Sequence, residues 1–285
     1  MQKGPTAKTA QKGRHMAAAK KEVAVKEDNL PVAYDYGDDA GAGFEGTSRD
    51  DFTMPFLYIL QSNSPIVEQG LVDAARPGVL MNSATQEMYP ADQAKADHTG
   101  LAFIPCHRQH IFVEWKPNRG GFVAQHEVDS AEVARAKKEF AFGKLKIGEN
   151  DLIETFYVFG LMVKGEGEFE PIVVPFSSTK IKLYKQTMTR LNSIRVNGKQ
   201  PPLWAHRLRL RTAREENDKG AFFNFRVDFD GNNAVEARLD PASTLFAEAR
   251  AFWENCRSGI AKPNYESADA ATEGTVASGD EEIPF

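Results

Sequence analysis

The sequence predicts an α+β fold that is mainly β with flanking helices. Three observations lead there. Leu203 to Arg211 and Ala221 to Phe229 each alternate apolar and polar residues, and the turn-forming Glu216–Gly220 (EENDKG from Glu215) lies between them, which predicts a hairpin. Thr155 to Val163 (TFYVFGLMV) is a run of β-branched and aromatic residues, as buried strands are. Apolar spacing of three and four is confined to a few segments, the clearest being Ser178 to Arg195.

The elements follow in order. Met1 to Lys26 holds seven Lys/Arg against Glu22, and Glu27 to Asp51 holds eight acids against Arg49, with no apolar rhythm in either. Residues 1–50 are therefore expected to be a disordered arm. The folded domain is expected over residues 51–262. Phe52, Met54, Phe56, Leu57, Ile59 and Leu60 open it as the first dense apolar block. Pro65, Gly70, Pro77, Gly78, Pro90 and Gly100 then punctuate the chain, which suits short strands and turns. Leu101 to Trp115 reads as two strands broken near Pro105 or as one bulged strand. Ala131 to Phe142 is a helix candidate. Pro171 to Phe176 pairs with Thr155 to Val163 as a hairpin through KGEGEFE.

In the helix over Ser178 to Arg195, Ile181, Tyr184, Met188 and Leu191 form the apolar stripe, and Asn197-Gly198 is expected to end it. Asp240-Pro241 is expected to open a last helix carrying Leu245, Phe246, Ala249, Phe252, Trp253 and Cys256. Residues 263–285 are expected to be a disordered acidic tail.

Charge is unevenly shared. Phe176 to Arg226 contains twelve Lys/Arg and three acids, a balance of +9, so the rest of this −5 chain carries −14. Alternation sets Arg207, Arg209 and Arg211 on one face of their strand and Leu208 and Leu210 on the other. On the second strand Phe223, Phe225, Val227 and Phe229 form an apolar face, and Phe222, Asn224 and Arg226 point away from it. Cations along a backbone path with rings for stacking hold single-stranded nucleic acid without reading its sequence. The expected DNA-binding residues are Lys180, Lys182, Lys185, Trp204, Arg207, Arg209, Arg211, Lys219, Phe222 and Arg226. Parity puts Trp204 on the leucine face unless the strand begins after it.

Asn264 to Phe285 contains six acids and no Lys or Arg, and ends Asp280-Glu281-Glu282-Ile283-Pro284-Phe285. This ending resembles the acidic tip of bacterial single-stranded-DNA-binding proteins, which is similar to D-D-D-I-P-F. The resemblance implies that Phe285 and its carboxylate enter an apolar pocket with a basic rim on a partner protein, while the acids steer the approach. The body of the chain departs from those bacterial proteins, whose folded domain comes first and is shorter. Met54 to Pro65 (MPFLYILQSNSP), Phe103 to Trp115 and Asp218 to Phe225 (DKGAFFNF) resemble instead the single-stranded-DNA-binding proteins of tailed bacteriophages. That resemblance implies an elaborated oligonucleotide-binding (OB-like) barrel, a role in phage DNA replication, recombination or repair, and replication or recombination proteins as partners.

Other classes have less behind them. Cys106, His107 and His110, with His98 and His126, lack the second ligand pair of a zinc site, and the other cysteine, Cys256, sits among apolar neighbours. No Gly-rich loop is followed by Lys-Ser/Thr, so a nucleotide-phosphate cradle is not encoded. No enzyme, metal or cofactor is expected. Two cysteines suggest a reducing compartment, and the N-terminal segment has no apolar core of a secretory signal, so the chain is expected in the cytoplasm of the bacterial host. No apolar run reaches a membrane span. Two alternatives stay open: an adaptor with little DNA affinity, and a strand-annealing recombinase.

Overall fold

The computed structural model describes residues 54–259 except 118–119, 141–142, 166 and 219, together with residues 1, 42, 43 and 45. The rest of the expected arm and the whole expected tail lie outside the described residues. The chain divides into residues 1–46 and 47–285. In the first, the Gly43 N–H donates to the Glu45 carboxylate at 2.7 Å. The fold below belongs to the second.

In order, the elements are β1 (Leu57–Ile59), α1 (Pro65–Gln69), β2 (Leu80–Asn82), β3 (Met88–Tyr89), β4 (Leu101–Trp115), β5 (Phe122–Glu127), α2 (Ala131–Glu139), β6 (Lys146–Ile147), β7 (Asn150–Val163), β8 (Phe169–Ser177), α3 (Lys180–Ser193), a 3-10 turn (Leu203–Ala205), β9 (Leu208–Asn217), β10 (Gly220–Phe229) and α4 (Thr244–Arg257). The result is mainly β with four helices, as the alternation and the β-branched runs require.

All ladders are antiparallel. β1, β2 and β3 form a small sheet, and the other seven strands form a second in the order β10-β9-β4-β7-β6, with β5 on β4 and β8 on β7. β4 and β7 pair along nearly their whole length. On its other side β4 meets β9 only at Leu101–Phe103 and β5 only at Ile111–Trp115. Of the two readings of Leu101 to Trp115, the single bulged strand is the one formed: the register with β7 shifts between Pro105 and His107. Proline cannot donate to a ladder, so a bulge is a natural place for it.

Each face of this spine carries a buried apolar layer, interrupted on β4 at residues 107–110. On the inner face Phe103, Phe156, Val158, Met162, Ile172 and Val174 pack with Ile181, Tyr184 and Leu191 of α3 and with the apolar side of the β9–β10 hairpin. On the outer face Ile104, Ile111, Val113, Tyr157, Phe159 and Leu161 pack with Ala249, Phe252 and Cys256 of α4. Each fully buried aliphatic or aromatic side chain contributes about 1.5–3 kcal/mol, so these two layers supply most of the fold's driving force.

Two isolated backbone bridges join the flanks of the small sheet to the large one. Phe56 bridges Val173 of β8, and Asp92 bridges Thr212 of β9. Thr212 is fully buried, and its hydroxyl donates to Gly78 O at 2.6 Å. These joins are single bridges, so the ladders do not run continuously around a closed barrel.

Several boundaries differ from expectation. α3 ends at Ser193, and Asn197-Gly198 instead forms a two-residue turn, both at positive φ, closed by Val196 and Lys199 in both directions. α4 starts at Thr244, three residues after Pro241, because the Ser243 hydroxyl caps it by accepting from Phe246 N–H. Asp240 makes a preceding turn by accepting from Ala242 N–H at 2.9 Å. Among the described residues no helix is long and apolar enough to cross a membrane.

Candidate nucleic-acid interface

Strand parity builds the candidate surface. In the β9–β10 register Arg209 lies opposite Asp228, Arg211 opposite Arg226, Ala213 opposite Asn224 and Glu215 opposite Phe222. The arginines and Phe222 therefore share one face, as the alternation predicts. Leu208, Leu210, Phe225 and Val227 occupy the other face and are buried.

The arginine face is partly neutralised by its own acids. Asp230, just past β10, is ion-paired with both Arg207 and Arg209, and it accepts from Arg209 Nε at 2.9 Å. Glu215 takes Arg226 at 2.8 Å and accepts from the Asn224 amide at 3.0 Å. Among the described residues Arg211 has no carboxylate partner, and its buried Nε has no hydrogen-bond partner. Two arginines directly opposite each other repel, and one carboxylate between them leaves the site short of negative charge.

β10 is an edge strand, and side chains close that edge. The Gln61 amide donates to Phe223 O and accepts from Phe223 N–H, both at 2.8 Å. The Asn224 amide oxygen accepts from Phe225 N–H at 2.9 Å. Arg190 Nη2 donates to Val227 O at 2.6 Å, and its guanidinium lies 4.8 Å from the Phe229 ring. The edge is thus not open for another strand to add.

The expected basic helix lies elsewhere. α3 packs on the leucine and phenylalanine face of the hairpin, so Lys180, Lys182 and Lys185 are on the opposite side of the sheet from the arginines. Lys182 and Lys185 are exposed, and Lys180 Nζ is 6.0 Å from the Phe225 ring. Trp204 also leaves the expected surface. β9 begins after it, at Leu208, and Trp204 sits in the 3-10 turn against Trp253 of α4, 4.7 Å between centroids. Lys219 and Asp280, Glu281, Glu282, Ile283, Pro284 and Phe285 lie outside the described residues.

The histidines near Cys106 are individually engaged. His110 pairs with Glu154 at 2.8 Å and His126 with Glu114 at 2.7 Å. The buried Cys106 thiol donates to Ile104 O at 3.4 Å, and burial pushes its pKa up. Among the described residues no group of three or more His, Cys, Asp or Glu is placed to hold a metal ion.

Sequence reasoning passed over Arg108 and His206. Arg108 was hidden in a stretch conspicuous for cysteine and histidine, although alternation does put it on the same face as His110. His206 carried no local signal. Burial and the neighbouring Arg238 lower its pKa, which keeps it neutral at pH 7.

A family model described as Pam3 phage gp34-like protein matches residues 20–262. No curated protein and no solved structure matches the chain.

Proposed function

We propose that this chain, which belongs to the Pam3 phage gp34-like family, binds single-stranded DNA without sequence preference, in phage DNA replication, recombination or repair. The observation that carries the reading is the cross-strand pair Arg211–Arg226, with Phe222 on the same face of the hairpin. A phosphate between the two arginines supplies the charge that Glu215 alone does not, and Phe222 offers a ring for a base. The phage family supports the setting.

The OB-like reading has support in strand order. β4, β7, β8, β9 and β10 are five antiparallel strands in which β4 lies between β7 and β9, and Gln61 bridges to the far edge at β10. A partly open five-stranded barrel is the form that OB folds take, and they use strand faces and hairpin loops to hold oligonucleotides.

Arg211→Ala tests the reading. It is expected to weaken oligo-dT binding and to lower the salt slope by about 0.7, the value of one single-strand phosphate contact. Phe222→Ala is expected to cost about 1–3 kcal/mol of binding, the worth of one stacked base. A folded Arg211→Ala/Phe222→Ala protein with wild-type affinity and salt slope would place DNA elsewhere.

The tail completes the proposal. Asp280 to Phe285 recruits replication or recombination proteins, and the six acids of residues 264–285 compete with DNA for the basic segment. Tethering makes that competition intramolecular, at an effective concentration of the order of mM for a short linker. Deleting residues 280–285 is expected to raise DNA affinity at low salt, with the gain fading at high salt. Phe285→Ala removes no side-chain charge, so it is expected to lose partners in pull-downs with DNA affinity unchanged. Retention of every partner by Phe285→Ala would reduce the tail to a solubilising segment.

A further inference from the structure

A cleft of about 620 Å³ opens where the C-terminal half of α3 meets β4, β7 and residues 200–206. Small-molecule sites commonly measure about 300–1,000 Å³, so this cleft has room for a ligand of that size. Its charge is one-sided. Arg108 and Lys185 line it, both are exposed, and no carboxylate does. Neither cation has an ion-pair partner among the described residues; Arg108 acts electrostatically on the nearby Tyr184 hydroxyl, favouring its ionised form against the burial that raises its pKa. Two unneutralised cations converging on one cleft are the footprint of an anion, and the fork of arginine suits phosphate.

The rest of the lining suits a ring. Phe156 and Tyr184 stack at 4.3 Å between centroids, and Met188, Pro201 and Leu203 add apolar walls. His206 also lines the cleft. It is 2% exposed, and its Nε2 has no hydrogen-bond partner among the described residues. A buried imidazole nitrogen without a partner is costly, and a ligand with donors and acceptors on a flat edge would satisfy it. Asn192 and Gln200, bonded to each other at 2.7 Å, stand at the exposed rim with further amide groups.

We propose that this cleft is a nucleotide site, in which Arg108 and Lys185 hold the phosphate and the base enters to bond Nε2 of His206. A free nucleotide and one nucleotide of a bound strand share this chemistry. The second source rests on the single-strand reading; the first does not.

The test titrates the full-length protein calorimetrically with dTMP, thymidine and inorganic phosphate. Saturable dTMP binding is expected, with thymidine and phosphate each weaker by roughly tenfold or more, because each lacks half of the recognition. Lys185→Gln and Arg108→Gln/Lys185→Gln alter exposed side chains, so they are expected to keep the wild-type melting temperature and to lose dTMP affinity, the double variant by roughly tenfold or more. Absence of saturable dTMP binding, or undiminished binding by the folded double variant, overturns the site. With the site upheld, displacement of dTMP by oligo-dT assigns the nucleotide to a bound strand, and retention assigns a free nucleotide. Oligo-dT binding without dTMP binding overturns the cleft alone. Binding of dTMP without oligo-dT overturns the single-strand reading and leaves the cleft standing.

Discussion

Phe225→Ala is expected to lower the stability of the folded unit by about 3–5 kcal/mol, the usual cost of removing a buried ring. Phe225 is 1% exposed, and its ring lies 5.6 Å from that of Phe176 between β10 and the elements that cover it. α3 lies across this face and β8 lies beneath it, so the walls of the cavity belong to separate elements that cannot collapse independently. Urea denaturation is the check: the midpoint falls and the slope is unchanged. Arg211→Ala, on the other face of the same hairpin, removes a half-buried side chain that has no carboxylate partner among the described residues, and is expected to cost about 1 kcal/mol or less, well below Phe225→Ala. The two variants together separate the fold from the candidate site. A Phe225→Ala protein as stable as wild type would mean that the hairpin's apolar face is not part of the core.

Gly160→Ala comes next in size. Gly160 of β7 faces Pro105 of β4, where the register shifts. A Cβ at this position would lie 2.2 Å from Ile104 O and 2.5 Å from the Phe103 ring. The first contact is backbone in the longest ladder of the sheet, and the second is a core ring 2% exposed, so neither can step aside cheaply. The expected cost is about 3 kcal/mol, the upper end of ordinary overpacking. Gly165 is the control. A Cβ there meets nothing closer than 3.5 Å, the end of the Glu168 side chain. Gly165→Ala is expected to change stability by less than about 0.5 kcal/mol. Equal midpoints for the two alanine variants in urea would show that the strands separate at Gly160 without cost.

The same contacts explain what was readable in the chain. Alternation over Leu208–Arg211 and Phe222–Phe229 assigned each side chain to a face, and the register agrees. The spacing of Ile181, Tyr184 and Leu191 identified the buried stripe of α3. Both are properties of adjacent residues: a strand repeats every two and a helix every 3.6, so a few residues reveal which side is apolar. Charge counting was less informative. The +9 segment splits across two sides of the sheet, because the helix stripe and the hairpin's apolar face had to bury each other. That burial carried the lysines of α3 away from the arginines of β9.

By itself, then, the sequence determined the long strands β4, β7 and β8, the β9–β10 hairpin with its two faces, and the helices α2, α3 and α4, while α1 and the short strands β2, β3, β5 and β6 carried no comparable signal. Tertiary structure decided the rest. It placed Asp230 between Arg207 and Arg209, sent Trp204 to Trp253, pressed Gly160 against Ile104 and gathered Arg108, Lys185 and His206 around one cleft. Arg108 and His206 are separated by almost a hundred residues of chain. Local period is fixed by backbone geometry, but the partner of a side chain is fixed by which elements bury each other, and no stretch of neighbouring residues encodes that choice.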